Sequence, residues 1–218
     1  MTKYFLFSLL LISTFTLSGK DLKLANTFSD GIVFQRDKSI NVWGTATPKK
    51  TITIRFGEET KSTKTDDEGA WSTTLGPLSA SSKPRTLTVT SEGYEIQIND
   101  ILVGEVWLCG GQSNMAWTLR GSTNADIEIS AANYPEIRFL KLPNIASPNK
   151  LSDFPRGKST DWIGKWQKAV PPKVENCSAV AYYFARRLHR QLKVPVGIIE
   201  NSWGGTMAQH WCDKKTLN

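Results

Sequence analysis

Histidine and cysteine are scarce in this chain, and that scarcity narrows the available chemistry. Only His189 and His210 occur among 218 residues, and Cys109, Cys177 and Cys212 fall at no metal-ligand spacing. Neither a metal site nor a cofactor is expected. Three thiols cannot all pair with one another, so any disulfide scheme leaves one over. Cys109 lies inside an apolar run, where a buried and inert thiol is expected. It is a weak rival as a nucleophile, because nothing beside it in sequence would lower its pKa. Past the first twenty residues no apolar run is long enough to cross a membrane. Basic residues are not gathered with aromatics between them, as a nucleic-acid groove requires. The net charge of +7 is spread over positions such as Lys49, Lys50, Lys61, Lys64, Lys83, Lys141 and Lys150. It reads as a solvated surface, with a weak attraction for acidic glycans at most.

The amino terminus has what the rest lacks. Lys3 precedes the apolar stretch from Tyr4 to Ile12, and Thr16-Leu17-Ser18-Gly19 follows. A positive residue, a short apolar core and small residues describe a secretory signal peptide over residues 1–19. An uncleaved anchor is the alternative, but the core is short for it. No cysteine near Ser18 suggests a lipid anchor. The protein is expected to be exported, to the periplasm or the extracellular space, with no stable membrane insertion after cleavage.

Residues 20–100 alternate polar and apolar side chains in short runs: Ile40-Asn41-Val42-Trp43, Thr51-Ile52-Thr53-Ile54, Thr86-Leu87-Thr88-Val89 and Glu95-Ile96-Gln97-Ile98. Turn clusters such as Thr65-Asp66-Asp67-Glu68-Gly69 separate them. This spacing predicts a small antiparallel β-sandwich with Trp43 and Trp71 in its core. Stacking of either tryptophan on a sugar is the less favoured alternative.

The period changes after Ile101. A strand is expected over residues 105–109, a second over 137–142 and a third over 194–200. A helix is expected over 124–133, the region after Ser113 can start another, and residues 143–174 read as a long surface excursion. The clearest helix covers 178–193. Val180, Tyr183, Phe184, Leu188 and Leu192 form its apolar stripe, opposite Arg186, Arg190 and Lys193. His189 among these arginines reads as a surface residue. Alternating strands and helices imply parallel pairing through right-handed crossovers. Residues 101–218 are thus read as an α/β domain, giving an α+β chain in two parts.

Two glycine loops end strands in this second part. Cys109-Gly110-Gly111-Gln112-Ser113-Asn114-Met115 closes one, and Asn201-Ser202-Trp203-Gly204-Gly205-Thr206 closes another. Ligands of open α/β sheets bind at the carboxyl ends of the strands. Ser113 is either a nucleophile presented there or a helix cap, a common use of serine. Parallel pairing puts both loops on one edge of the sheet and favours the nucleophile.

Gly111-Gln112-Ser113-Asn114-Met115 resembles the nucleophile block of the sialate O-acetylesterase family, within the SGNH-hydrolase superfamily. Further segments match in the same order: Phe28-Ser29-Asp30-Gly31-Ile32-Val33-Phe34-Gln35-Arg36, Asp67-Glu68-Gly69-Ala70-Trp71, Val103-Gly104-Glu105-Val106-Trp107, Cys177-Ser178-Ala179-Val180-Ala181-Tyr182-Tyr183-Phe184, and Val194-Pro195-Val196-Gly197 through Gly205-Thr206. The resemblance implies a β-sandwich followed by a flavodoxin-like (SGNH) α/β domain. It implies an exported carbohydrate O-acetylesterase acting on acetylated sialic acid or another acetylated sugar, such as acetylxylan. Ser113 is then the nucleophile, and its backbone N–H shares an oxyanion hole with Gly204 or Gly205. Gln112 and Asn114 support the loop.

One part of the pattern is missing. The family's base is a histidine in an Asp-x-x-His segment near the carboxyl end, and a glutamine-containing block precedes it. Neither His189 nor His210 fits that spacing, although Asp213 lies close after His210. The α/β domain is therefore expected to be incomplete, with three parallel strands where a doubly wound fold uses about five. Losing a triad member costs on the order of 10⁴- to 10⁶-fold in turnover, so the isolated chain is expected to be inactive. The competing expectation is a non-catalytic fragment, at most a glycan-binding module.

Overall fold

A computed structural model describes residues 22–155, 162–213 and 215–216. The signal-peptide reading of residues 1–19 lies outside them. In chain order the strands and helices are β1 (Lys23–Leu24), β2 (Val33–Gln35), β3 (Ile40–Thr45), β4 (Thr51–Phe56), β5 (Glu59–Lys64), β6 (Ala70–Leu75), β7 (Ser81–Ser91), β8 (Tyr94–Gly111), α1 (Ser113–Ala116), α2 (Ala125–Ala131), β9 (Tyr134–Lys141), β10 (Trp166–Ala169), α3 (Ala179–Leu192) and β11 (Val196–Ser202). The chain is thus mixed α and β, and mostly sheet.

Alternation in the first hundred residues becomes two sheets. A small antiparallel one has the order β1-β3-β6, and a larger one runs β10-β9-β11-β8-β7-β4-β5 with β2 added beside β8. Successive strand residues point to opposite faces, so Ile52, Ile54 and Phe56 of β4 turn inward together. They meet Val42, Trp71 and Leu75 from the small sheet, and Leu87 and Val89 from β7, in one buried cluster. Trp71 takes the core place expected of it. Trp43 does not: it is 39% exposed, because Ile40 and Val42 claim the inner face of β3 and the alternation turns Trp43 outward. Its ring meets that of Phe28 edge-on at 5.0 Å.

Strand β8 joins the two halves of the molecule. Its first part pairs antiparallel with β7, and its last seven residues pair in parallel with β11. The expected boundary at residue 100 falls inside this one strand. There Asp100 takes a left-handed backbone conformation (φ 57°) and the β7 ladder shifts register nearby. Its carboxylate accepts from Arg138 Nη1 at 2.8 Å and Nη2 at 3.2 Å, and lies 3.1 Å from Lys168 Nζ. Burial pushes the Asp100 pKa up, but the hydrogen bonds and charges of Arg138 and Lys168 outweigh it and hold it below the usual carboxylate range. A depressed native pKa stabilises the fold above the unfolded-state value of about 4, and the contribution disappears as pH falls through the native one. Asp100→Asn, which tolerates the same backbone, is therefore expected to flatten the acid limb of a urea-unfolding series. A slope below pH 4 equal to that of the parent would contradict this.

Beyond Asp100 the order β9-β11-β8 is parallel throughout, as the strand and helix alternation predicts. β11 slots between β8 and β9, and both glycine loops leave the sheet at the same end. Three expectations change. First, the excursion over residues 143–174 is not all surface, because β10 pairs antiparallel with the outer edge of β9. Trp166, Gln167 and Ala169 are buried there, and Trp166 Nε1 donates to Thr27 O at 3.0 Å. Second, the helix after Ser113 is a single four-residue turn. Third, α3 presents a different face to the sheet. Ala179, Ala181, Tyr182 and Ala185 are buried, whereas Val180, Phe184 and Leu192 of the expected stripe are exposed. Alanines let the helix axis approach the strands closely, so bulky neighbours are turned aside. Arg186 is correspondingly not on a free outer side: it pairs with Glu128 of α2 and lies over the rings of Tyr182 and Tyr183. Among the described residues no helix is long and apolar enough to cross a membrane.

Candidate active site

The β8–β11 register builds the site. Glu200 lies beside Cys109, Asn201 beside Gly110 and Ser202 beside Gly111, so the two strands run out together. Trp203 N then donates to Gly111 O at 2.9 Å, carrying the pairing one step into the loops. Gly111 (φ 151°) permits the turn, and a side chain there would also crowd Met115 at 3.2 Å. The turn leaves Ser113 exposed at the start of α1.

Across from it sits Gly204. A Cβ on Gly204 would lie 3.0 Å from Ser113 Oγ and 3.7 Å from its Cα and Cβ. Gly205 (φ 79°) has nothing within 4 Å of such a position. The structure thus brings Ser113 and Gly204 into contact and leaves Gly205 to make the turn. Gln112 Nε2 donates to Thr206 O and ties the two loops together. Asn114 is exposed on α1.

Behind the loops lies a buried polar cluster that sequence reasoning passed over. Glu200 is 1% exposed. Its carboxylate accepts from Ser178 N at 3.1 Å and Ser202 Oγ at 3.1 Å, and it lies 2.8 Å from Lys141 Nζ. Ser178 caps α3 by accepting from Ala181 N at 3.2 Å, and its Oγ is 3.5 Å from Met115 Sδ. Trp117 O accepts from Ala179 N at 2.8 Å. Through these contacts Glu200 holds the start of α3, and α3 holds the turn that carries Ser113. The available signal was a charged residue directly after each of two apolar runs, Lys141 after Leu140 and Glu200 after Ile199. Lys141→Met should leave a buried carboxylate unpaired, which costs about 3–5 kcal/mol. Urea unfolding checks this, and a loss below about 1 kcal/mol would mean that the pair is solvated.

Neither histidine meets Ser113 in a way that suits a base. His189, read from sequence as a surface residue, is half-buried, and its Nδ1 hydrogen-bonds with Val194 O at 2.8 Å. It sits eleven residues along α3 from Ser178, about 16 Å at 1.5 Å per residue. His210 Nδ1 accepts from Met207 N at 3.2 Å, so that nitrogen is engaged within its own turn. Ser113 Oγ makes no hydrogen bond among the described residues.

The thiols are free, with Cys109 half-buried, Cys177 buried and Cys212 exposed. Burial, reinforced by the Glu200 charge, pushes the Cys109 and Cys177 thiols above the usual range, so neither is activated. Among the described residues no three His, Cys, Asp or Glu side chains converge to hold a metal ion.

The chain as a whole is similar to known proteins. No family model matches the chain. Sialate O-acetylesterase of Mus musculus is 30% identical over 216 residues, covering 92% of this chain and 39% of the mouse protein. Sialate O-acetylesterase of Homo sapiens is 31% identical over 219 residues, covering 92% and 40%. A carbohydrate acetylesterase of Xanthomonas citri, known from its crystal structure, superposes with a TM-score of 0.84 at 34% identity, over 90% of this chain and 43% of that one. The chain thus spans about two fifths of the length of the curated relatives it matches. Over that span it belongs to the sialate O-acetylesterase family.

Proposed function

We propose that this chain contributes the nucleophile half of a carbohydrate O-acetylesterase. In this reading the two packed sheets are the family's β-sandwich, and β8, β11, β9 and their helices are part of an SGNH α/β domain. Ser113 Oγ attacks the acetyl carbonyl of an O-acetylated sugar, and its proton passes to a base. The negative charge that develops on the carbonyl oxygen is met by the backbone N–H groups of Ser113 and the Gly204 loop. The C–O bond to the sugar breaks, the sugar leaves with a proton, and water then releases acetate from the acetyl-serine. Preorganised backbone donors of this kind supply a large share of catalysis in acyl transfer.

The contact between Ser113 Oγ and Gly204 at the carboxyl edge of parallel strands carries the reading. Gly204 is the glycine assigned to the oxyanion hole, because only it faces the serine; Gly205 serves the turn. The relatives' names supply the substrate class, an acetylated sugar, with sialic acid favoured over xylan. Export remains part of the proposal and rests on residues 1–19.

One observation favours a second reading for the chain acting alone: among the described residues Ser113 has no hydrogen-bonded base. A serine hydroxyl without one is a weak nucleophile. The 218-residue chain is expected to release acetate from O-acetylated N-acetylneuraminic acid or 4-nitrophenyl acetate at the rate of its Ser113→Ala variant. A Ser113-dependent rate by the chain alone would overturn this and place the base within it. Sugar binding without any turnover, under all conditions, would favour the glycan-binding module.

A further inference from the structure

Trp43 stands outside the core, and its indole lines a groove between the first hundred residues and the parallel strands. The groove encloses about 560 Å³, a volume within the range of small-molecule sites. Thr27 and Trp43 line one wall, Leu142 and Phe154 of the connection after β9 another, and Ile199 and Asn201 of β11 the floor. These walls are held in place. Asn26 N donates to Asp153 Oδ2 at 2.8 Å and Asn26 Nδ2 to Phe154 O at 2.7 Å, which ties the connection to the chain before β2. Buried Phe28 meets the Trp43 ring edge-on, and Leu142 and Ile199 pack against the same apolar cluster.

An exposed indole beside a free amide suits a sugar. A pyranose has an apolar face of C–H groups and a rim of hydroxyls. Indole can cover the face, and the rim needs donors and acceptors. The Asn201 side chain is exposed, makes no hydrogen bond among the described residues, and offers both. Asp153 is the only charged side chain lining the groove among the described residues. Its Oδ1 accepts from Phe154 N at 2.8 Å, and each oxygen keeps a lone pair for a sugar hydroxyl. The same carboxylate repels an acidic sugar, so the groove suits a neutral one.

The groove also lies at the right end of the sheet. Paired residues of parallel strands share a face, so Asn201 and Gly110 look the same way. Trp211, 38% exposed, sits over Gly110 on that face, where a Cβ would lie 3.3 Å from its ring. Asn201 is three residues from Gly204, about 11 Å of extended chain at most.

We propose that this groove is a subsite for a neutral pyranose glycosidically linked to the acetylated sugar. Trp43 lies against its apolar face, and Asn201 and Asp153 meet its hydroxyls. The link to an acetylated sugar rests on the esterase reading and narrows the substrate to a glycan chain; the binding itself does not depend on turnover.

Lactose and xylobiose, both neutral disaccharides, test this by titration into the isotope-labelled 218-residue chain, with N-acetylneuraminic acid as the acidic comparison. Saturable movement of the Trp43 indole N–H and Asn201 amide resonances is expected with a neutral sugar, and no movement of the Trp43 signal with the acidic one. Trp43→Ala should weaken binding by about tenfold or more, and Trp43→Phe, which keeps a flat ring, should recover most of it. Asn201→Ala, at an exposed position that the fold does not need, should weaken binding by about threefold or more. No saturable shift with either disaccharide, binding indifferent to both alanine variants, or equal binding of the acidic sugar would overturn the proposal. Groove binding in an enzyme form that shows no Ser113-dependent acetate release refutes the esterase reading and leaves the sugar site standing. Ser113-dependent release by a form whose groove binds no sugar overturns the subsite alone.

Discussion

Replacing Gly104 with alanine should destroy the parallel pairing on which the site is built. A Cβ at that position would lie 1.9 Å from Pro195 O and 2.6 Å from Pro195 C. Both are backbone atoms at the entry to β11, so no side-chain rotation relieves the clash. β8 and β11 must part instead, and the hydrogen bond from Glu105 N to Pro195 O is lost with them. Inserting a methyl into a tight interior typically costs 1–3 kcal/mol. A collision with fixed backbone belongs above that, at more than about 3 kcal/mol. Urea unfolding followed by circular dichroism measures it. Gly57→Ala is the control, since Gly57 has a positive φ (60°) and nothing within 4 Å of the added atom. That change should cost only the left-handed backbone strain, about 1–2 kcal/mol. Equal losses for the two variants would mean that Gly104 is kept for its flexibility and not for the space it leaves.

Ser113→Ala should lower acetyl-ester hydrolysis by about 10⁴- to 10⁶-fold in any form of the enzyme that has a working base. The side chain is exposed and its hydroxyl holds no structural hydrogen bond among the described residues, so the fold should be untouched. Unchanged unfolding together with lost turnover is the expected pair of results. Gly204→Ala acts on the same step from the other side. Its methyl would stand 3.0 Å from Ser113 Oγ, in the space the proposed mechanism gives to the substrate carbonyl. It should cost about 10²- to 10³-fold, the loss seen when one oxyanion donor is removed. Gly205→Ala meets no atom within 4 Å and should act through loop stability alone. A larger loss of turnover at Gly205 than at Gly204 would reverse the assignment of the oxyanion glycine.

Much of this architecture was legible in the residues themselves. Alternation with a period of two fixes which side of a strand is apolar, and it correctly sent Ile52 and Ile54 inward. The succession of strand, helix and strand dictates parallel pairing, and parallel strands must release their carboxyl-end loops on one edge. That rule alone brings Ser113 and the Gly204 loop to the same edge. The motif around Ser113, extended by matches along the chain, carried the family.

Local pattern could not choose between competing apolar faces. Helix α3 has enough apolar residues for two stripes, and only the approach of the sheet selects the alanine side over Val180 and Phe184. Trp43 is exposed for a related reason: Ile40 and Val42 compete with it for the inner face of β3, and their side is the one that packs against the core. Sequence shows Lys141 and Glu200 each as a charge in an apolar run but not that they pair, because the two residues are 59 positions apart and meet only through the register of β9 and β11. Which glycine faces Ser113 is likewise a matter of tenths of an ångström between two loops. Sequence determined the periodicities and the chemical groups, which are properties of single segments. Tertiary structure alone decided the contacts between segments, because those follow from how strands and helices share one limited volume.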